Sequence, residues 1–276
     1  MSPYDFQSWY PRGTSSVIAA GANHFIALVD STTVLKFPAA PQEADDLYPP
    51  DVQKFRRSVR EAAVKGLQVE EQILTILGKH PRIIQLKGKH EDGLLLEYLP
   101  HGSVERYLQT NPDTSIKQRL SWGRQAAEGL AYIHTKNVIQ GDVSVGNLLL
   151  DPKLSIKFCD FQGKFLYPDG TIALDGGSSE RIMSSMPRSD HNHHDYRTDI
   201  FALGTALFVI ITGELPFPNL DATDDENEIY RRFKECEFPR LGNLPGGDII
   251  RKCWMGKYSN AAEIIVDLQG LKEAVE

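Results

Sequence analysis

The 276-residue chain is short of cysteine, of cationic surplus and of long apolar runs, and each shortage closes off a class of protein. Its three cysteines, Cys159, Cys236 and Cys253, are odd in number, far apart and outside any C-x-x-C pattern. They provide neither a disulfide framework nor a thiolate zinc site and fit a reducing compartment. Lys and Arg (30) fall below Asp and Glu (37), for a net charge of −7. Without a broad cationic field, nucleic-acid and anionic-membrane partners are not expected. The most apolar run, Ile200 to Thr212, is thirteen residues long. A membrane span needs about 20, so this is a buried core helix. The opening M-S-P-Y-D-F-Q-S-W-Y has no basic start and apolar core, so no secretory signal is visible, and no internal repeat occurs. These absences lead to an expectation of a soluble protein of the cytoplasm or nucleus.

What is present is an ordinary globular composition, 41% apolar and 24% charged. Residues 1–15 read as a surface tail. S-V-I-A-A, F-I-A-L-V and T-V-L-K-F, separated by turns at Gly21-Ala22-Asn23 and Asp30-Ser31, predict an antiparallel meander. Residues 38–56, with Pro38, Pro41, Pro49 and Pro50 among acidic residues, predict an irregular insertion. A helix ending at Leu77 follows, closed by Gly78 and Pro81, and Gly66 is expected to split it from an earlier piece over 55–65. Two further strands are expected over 83–86 and 93–98. After Gly102 the pattern turns helical, with a long helix over 115–136, an irregular Gly/Ser-rich segment over 163–195, the apolar helix, and three shorter helices to the end. A β-rich part followed by a helical part implies two lobes with a cleft between them.

Two stretches carry the chemistry. Q-G-D-V-S-V-G-N-L-L-L places Asp142 five residues before Asn147, and C-D-F-Q-G places Asp160 before Phe161. An Asp, an Asn and a second Asp in this order resemble the nucleotide-handling loop and metal ligand of a protein kinase, where they would serve as a base for an acceptor hydroxyl and two oxygen ligands for Mg²⁺. Lys36 ends a strand, and Glu70 lies on the next helix; as a pair they can hold an ammonium against nucleotide phosphates. Taken singly, each is an ordinary solvated residue. Gly21 sits in I-A-A-G-A-N-H-F-I, where a phosphate-covering G-x-G-x-x-G-x-V loop would keep only its middle glycine, with Ala19, His24 and Ile26 at the other positions. A plain hairpin turn is an equal reading.

Beside these stand V-L-K-F-P, H-P-R-I-I-Q-L, G-L-L-L-E-Y-L-P-H-G-S-V, Q-A-A-E-G-L-A-Y-I-H, T-D-I-F-A-L-G and I-I-R-K-C-W. In this order the set resembles a eukaryotic protein kinase domain, in particular compact kinase-like proteins of fungi, over nearly the whole chain from Ser16 to Leu271. The resemblance implies an α+β, bilobal protein-kinase-like fold over 16–276, with a small β-rich N-lobe carrying one key helix (16–97), a hinge (97–101) and a larger α-helical C-lobe (102–276). It implies ATP and Mg²⁺ as cofactors and a protein substrate. Asp142, Lys36 and Glu70 would be catalytic, and Asn147 and Asp160 would hold metal. Ala19, Gly21, Ile26, Val34, Lys36, Leu96, Glu97, Leu99 and Leu149 would line the ATP site. Leu74, Leu86 and Phe161 would stack as an apolar spine, and Asp199 would tie down the catalytic loop.

The departures from that pattern are local. Gln140 and Gly141 replace a histidine and the arginine that would read a phosphate on the activation segment, and Gln162 replaces a glycine. Ser144 and Gly146 occupy the positions where Ser/Thr and Tyr kinases carry a phosphate-facing cation, with Lys164 as a nearby substitute. Met186-Pro187-Arg188 replaces Ala-Pro-Glu, and its usual arginine partner is Lys257, so that ion pair must be absent or rebuilt. H-N-H-H-D over 191–195 reads first as a solvated loop and second as a metal site; Cys159 reads first as an inert core thiol. Three functional readings stand. The first is an ATP-dependent protein kinase, with Ser/Thr the expected acceptor and no activation-loop arginine switch. The second is a nucleotide-binding pseudokinase scaffold. The third, from Gly141-Asp142, is a small-molecule kinase.

Overall fold

Strand β3 (Thr33–Pro38) is the inner strand around which the first lobe forms, and it is buried on both faces. The structure, a computed structural model, describes residues 11–39 and 48–275. The first ten residues of the expected tail and residues 40–47 of the proline-rich insertion lie outside the described residues. β1 (Ser16–Ala20), β2 (His24–Asp30), β3, β4 (Leu86–His90) and β5 (Gly93–Glu97) form one antiparallel sheet in the order β1-β2-β3-β5-β4. Period-two alternation divides β3: Leu35 and Phe37 pack with Ala27 on the outer face, while Val34 joins the main core on the inner face and Lys36 shares its side.

Helix α1 (Pro50–Leu77) is continuous for 28 residues. The expected break at Gly66 and the irregular stretch up to residue 56 are therefore corrected. Pro50 is tolerated because the first helical N–H has no intrahelical partner in any case. Gly66 serves a steric purpose, described below. The fourth strand begins at Leu86, three residues later than expected, and Ile83 makes only an isolated bridge to Phe158. L-K-G-K-H has no apolar alternation to reveal it; Lys87 and Lys89 point outward from an edge strand, where charge discourages pairing with other chains.

The second lobe is helical: α2 (Val104–Thr110), α3 (Ile116–Thr135), α4 (Tyr196–Thr212), α5 (Glu226–Lys234), α6 (Gly247–Trp254) and α7 (Ala261–Val275). In α4 every residue from Thr198 to Ile211 is buried, as its apolar run requires. Short strands β6 (Val138–Ile139), β7 (Leu148–Leu150) and β8 (Ile156–Phe158) frame the catalytic stretch. The segment expected to be irregular contains a hairpin, β9 (Lys164–Leu166) and β10 (Ile172–Asp175), with β9 pairing β6. Its turn is Pro168-Asp169-Gly170, with Gly170 at φ +83° and its N–H donating to the Tyr167 carbonyl.

Candidate active site

The site lies where β3, α1, the β6–β7 loop and the residues after β8 meet. Lys36 Nζ is 2.6 Å from Glu70 Oε2 and 2.5 Å from Asp160 Oδ1. The lysine and glutamate side chains are almost completely buried, whereas that of Asp160 is 42% exposed and reaches the cleft. Burial disfavours the Lys36 ammonium, but the two carboxylates outweigh it and hold its pKa above the ordinary lysine value. Lys36 therefore remains a fixed cation. Asp160 is in the left-handed region at φ 60°, and the following Phe161 N–H donates to Glu70 Oε1 at 3.2 Å. The strained turn is held by Glu70, directly at Phe161 N and through Lys36 at the Asp160 side chain.

In the β6–β7 loop, Asn147 Nδ2 donates to the Asp142 carbonyl (2.9 Å) and to Asp142 Oδ2 (2.8 Å). Asp142 Oδ1 is buried with no hydrogen-bond partner among the described residues. Burial, reinforced by the nearby Asp160 charge, pushes the Asp142 carboxyl up to about 6 against the opposing pull of Arg181 and Asn147. With its amide nitrogen committed, Asn147 keeps a carbonyl oxygen, and Asp160 keeps its second carboxylate oxygen. Oxygen donors of this kind are what Mg²⁺ takes, so the residues fit that ion.

Asp199 anchors the loop from α4. It is 1% exposed, and its Oδ2 and Oδ1 accept from the backbone N–H groups of Gln140 and Gly141, each at 2.9 Å, while His134 Nε2 lies 2.9 Å from Oδ2. A buried carboxylate with this many donors is satisfied. Gln140 is fully buried: its Nε2 donates to the Asp160 carbonyl at 3.3 Å, and its Oε1 accepts from Asp142 N at 2.5 Å. The amide thus ties the loop to the Asp160 turn. Val34, Leu74, Leu96, Leu99 and Phe161 are buried in the main core, and Ile26, Leu86 and Leu149 pack against it. Ala19 pairs across from Ile26, and the Gly21 N–H donates to the His24 carbonyl at 2.8 Å, closing a tight turn. Glu97 ends β5, with its carboxylate 2.7 Å from Lys157 Nζ, and the Leu99 carbonyl accepts from Gly102 N.

Six expectations are corrected or completed. His24, at the last glycine position of the expected loop, turns inward: it is 7% exposed and its Nε2 lies 2.9 Å from the Ala63 carbonyl of α1. Gln162 turns its amide toward the carboxylates, donating to Asp160 Oδ1 at 3.1 Å. A Cβ on Gly66 would lie 2.5 Å from Gln162 Oε1, so this glycine is the notch that admits the amide. Lys164 is engaged elsewhere, donating to the Asn192 carbonyl at 2.9 Å. The ion pair between positions 188 and 257 is absent: Arg188 Nη1 pairs locally, 2.8 Å from Glu180 Oε2 with both side chains buried, while Lys257 is exposed. His191, His193 and His194 do not converge on a metal site, and Asp195 caps α4. Burial pushes the Cys159 thiol well up, so it is inert.

Sequence reasoning missed two features. Gly141, at φ +75°, leaves no room for a side chain, because a Cβ would lie 2.2 Å from Ser178 Oγ of the activation segment. The Ser178 N–H donates to the Gln162 carbonyl at 3.0 Å. Arg181 was also missed, and it reaches the catalytic loop. Spacing could have signalled neither, since both contacts join residues more than thirty positions apart.

The family model for protein tyrosine and serine/threonine kinase matches residues 37–264. The chain belongs to the protein kinase family. It is 30% identical over 189 residues to Aurora kinase A-B of Xenopus laevis, covering 67% of this chain and 45% of that protein. It is 26% identical over 205 residues to the cell cycle serine/threonine-protein kinase CDC5/MSD2 of Saccharomyces cerevisiae, covering 67% of this chain and 27% of that protein. It is also 26% identical over 187 residues to the serine/threonine-protein kinase CTR1 of Arabidopsis thaliana, covering 64% and 22%. The chain thus spans less than half the length of each of these relatives. They come from a frog, a yeast and a plant and do not single out a fungal group. Among the described residues no helix is long and apolar enough to cross a membrane.

Proposed function

We propose that the chain transfers the γ-phosphate of ATP to a Ser or Thr hydroxyl of a protein in a Mg²⁺-dependent reaction. The observation that carries this reading is the Lys36 ammonium held between Glu70 and Asp160 above the Asp142–Asn147 pair. Ile26, Val34 and Leu149 would sandwich adenine, Leu96 would close the back of its pocket, and the backbones of Glu97 and Leu99 would meet its edge. Ala19 and Gly21 would cover the phosphates. Asp142 orients the acceptor hydroxyl and takes its proton as the oxygen attacks Pγ and the bond to the β,γ-bridging oxygen breaks. Lys36 keeps the α- and β-phosphates in place. Asp160 and Asn147 would hold Mg²⁺, which would supply charge neutralisation for the phosphates. The Ser/Thr preference draws on the names of two relatives.

The same reading includes an activation segment that is ordered without a phosphate. Gly141 has no side chain to read one; Ser178 and the β9–β10 hairpin already dock the segment on the loop region, and the Glu180–Arg188 pair braces the segment internally. We place the activity in the cytoplasm or nucleus.

The test is phosphate transfer from labelled ATP to the chain itself and to added acceptor proteins, beside Asp142→Asn and Asp160→Asn. The wild type is expected to label and both variants to fail; equal labelling by all three would sink the reading. Thermal stabilisation by ATP and Mg²⁺ without any labelled product would instead leave a nucleotide-binding scaffold. Labelling of choline-like or aminoglycoside acceptors in preference to protein would leave a small-molecule kinase.

A further inference from the structure

The catalytic loop has no cation of its own, yet the space beside it contains one. A Cβ built on Gly146 would lie 3.4 Å from Arg181 Nη2, 3.3 Å from Glu105 Oε2 and 3.6 Å from Ser144 Oγ. The guanidinium of Arg181 therefore stands where a side chain at position 146 would begin. The pull of Arg181 on the Asp142 carboxyl is consistent with that placement. Its backbone is fixed on both sides: Glu180 is paired to Arg188, and the Met183 carbonyl accepts from Thr205 Oγ1 at 3.1 Å. Its head is held loosely, by one 3.5 Å contact to Glu105 Oε1, and its side chain is 62% exposed. A rigid base and a lightly held head suit a group that must turn toward a ligand. Ser144 Oγ at the edge of the same space, and Asp142 Oδ1 in the same loop, are buried without partners among the described residues, leaving polar capacity unused.

We propose that Arg181, supplied by the activation segment, is the catalytic cation that contacts the transferring phosphoryl group, in place of the side chains absent at Ser144 and Gly146. The inference rests on the phosphotransfer reading. In the reaction the acceptor oxygen bonds to Pγ, the Pγ–O bond to ADP breaks, and the acceptor proton passes to Asp142. Arg181 forms no covalent bond; it donates N–H groups to the equatorial oxygens as they gain charge. Because Glu105 and the phosphoryl oxygens compete for one guanidinium, Arg181 leaves its weak surface contact only when nucleotide is in place. Lys164, held by the Asn192 carbonyl, is not available for this role.

The experiment compares the wild-type chain with Arg181→Ala, Arg181→Lys and the double variant Arg181→Ala/Gly146→Arg, which returns a cation to the vacated space from the loop side. Transfer from labelled ATP is measured as kcat and KM for ATP, with Tm recorded for each protein. Arg181→Ala is expected to lower kcat on the order of 100-fold, with KM changed less than about threefold and Tm unchanged. Arg181→Lys should fall between, since a point charge replaces a planar fork. The double variant should recover about tenfold or more. An unchanged kcat in Arg181→Ala, or a loss that the double variant does not recover, overturns the proposal while leaving the kinase reading intact. No transfer by the wild-type chain removes both.

Discussion

The two sides of the cleft have kept different things. On the upper side, Lys36, Glu70 and Asp160 form the charge set of the family. On the lower side, the loop and the activation segment have lost a sensor arginine, a loop cation and a glutamate. Their places are taken by Ser178 packed on Gly141, Arg181 beside Gly146, and Arg188 paired with Glu180. The difference follows from what each side must hold. In the proposed reaction, phosphate and metal would dictate charge sign, atom type and position on the upper side. Docking one protein segment on another needs only shape and paired polarity, and exchanging the partners of an ion pair preserves both.

The comparison can be broken at four points, in descending order of effect. Asp142→Asn and Asp160→Asn should each lower transfer by about 1,000-fold with little change in Tm, because they remove chemistry without opening a cavity. Steady-state rates beside thermal unfolding check this. Glu180→Ala should cost about 3 kcal/mol by leaving the Arg188 guanidinium buried and unpaired, a drop of roughly 6–12 °C in Tm. The swap Glu180→Arg/Arg188→Glu should regain most of the loss; if it does not, the pair is not what braces the segment. The third test is pH. Asp142, raised to about 6, must be ionised to act as base, so kcat/KM should fall about tenfold from pH 7 to pH 5. A profile flat to pH 5 would remove Asp142 from that role. The smallest effect concerns Gly66. Gly66→Ala gains up to about 1 kcal/mol of helix propensity but displaces the Gln162 amide. In Gln162→Gly the alanine should stabilise by the full amount, and a double-mutant cycle of Tm values measures the coupling.

The legible and illegible parts of the molecule divide along the same line. β1 to β3, α3 and α4 were readable because each carries its own periodicity, two for the strands and a fully apolar run for α4. β4 was misplaced because L-K-G-K-H is a polar edge with no alternation. The β9–β10 hairpin was passed over although Pro168-Asp169-Gly170 is a turn signal, because the Gly/Ser-rich surroundings masked it. Gly66 was misread as a helix break because helical propensity is a local property. Its actual neighbour is Gln162, ninety-six positions away. Lys164 is the nearer cation in sequence, yet it bonds the Asn192 carbonyl while Arg181 lies beside Gly146, since nearness in sequence says little about which cation faces the loop.

The sequence by itself determined the family, the two-lobed layout and the identity of the charged groups, Lys36, Glu70 and Asp160, that the fold brings together. Those follow from residue types at fixed spacing within single elements. Only the tertiary structure decided that Arg188 finds Glu180 in place of Lys257, that Gly141 makes room for Ser178, and that Arg181 stands in the space Gly146 leaves open. These pairings depend on how the activation segment folds back over the loop. A chain folded back on itself brings together groups whose separation in sequence carries no information about their contact.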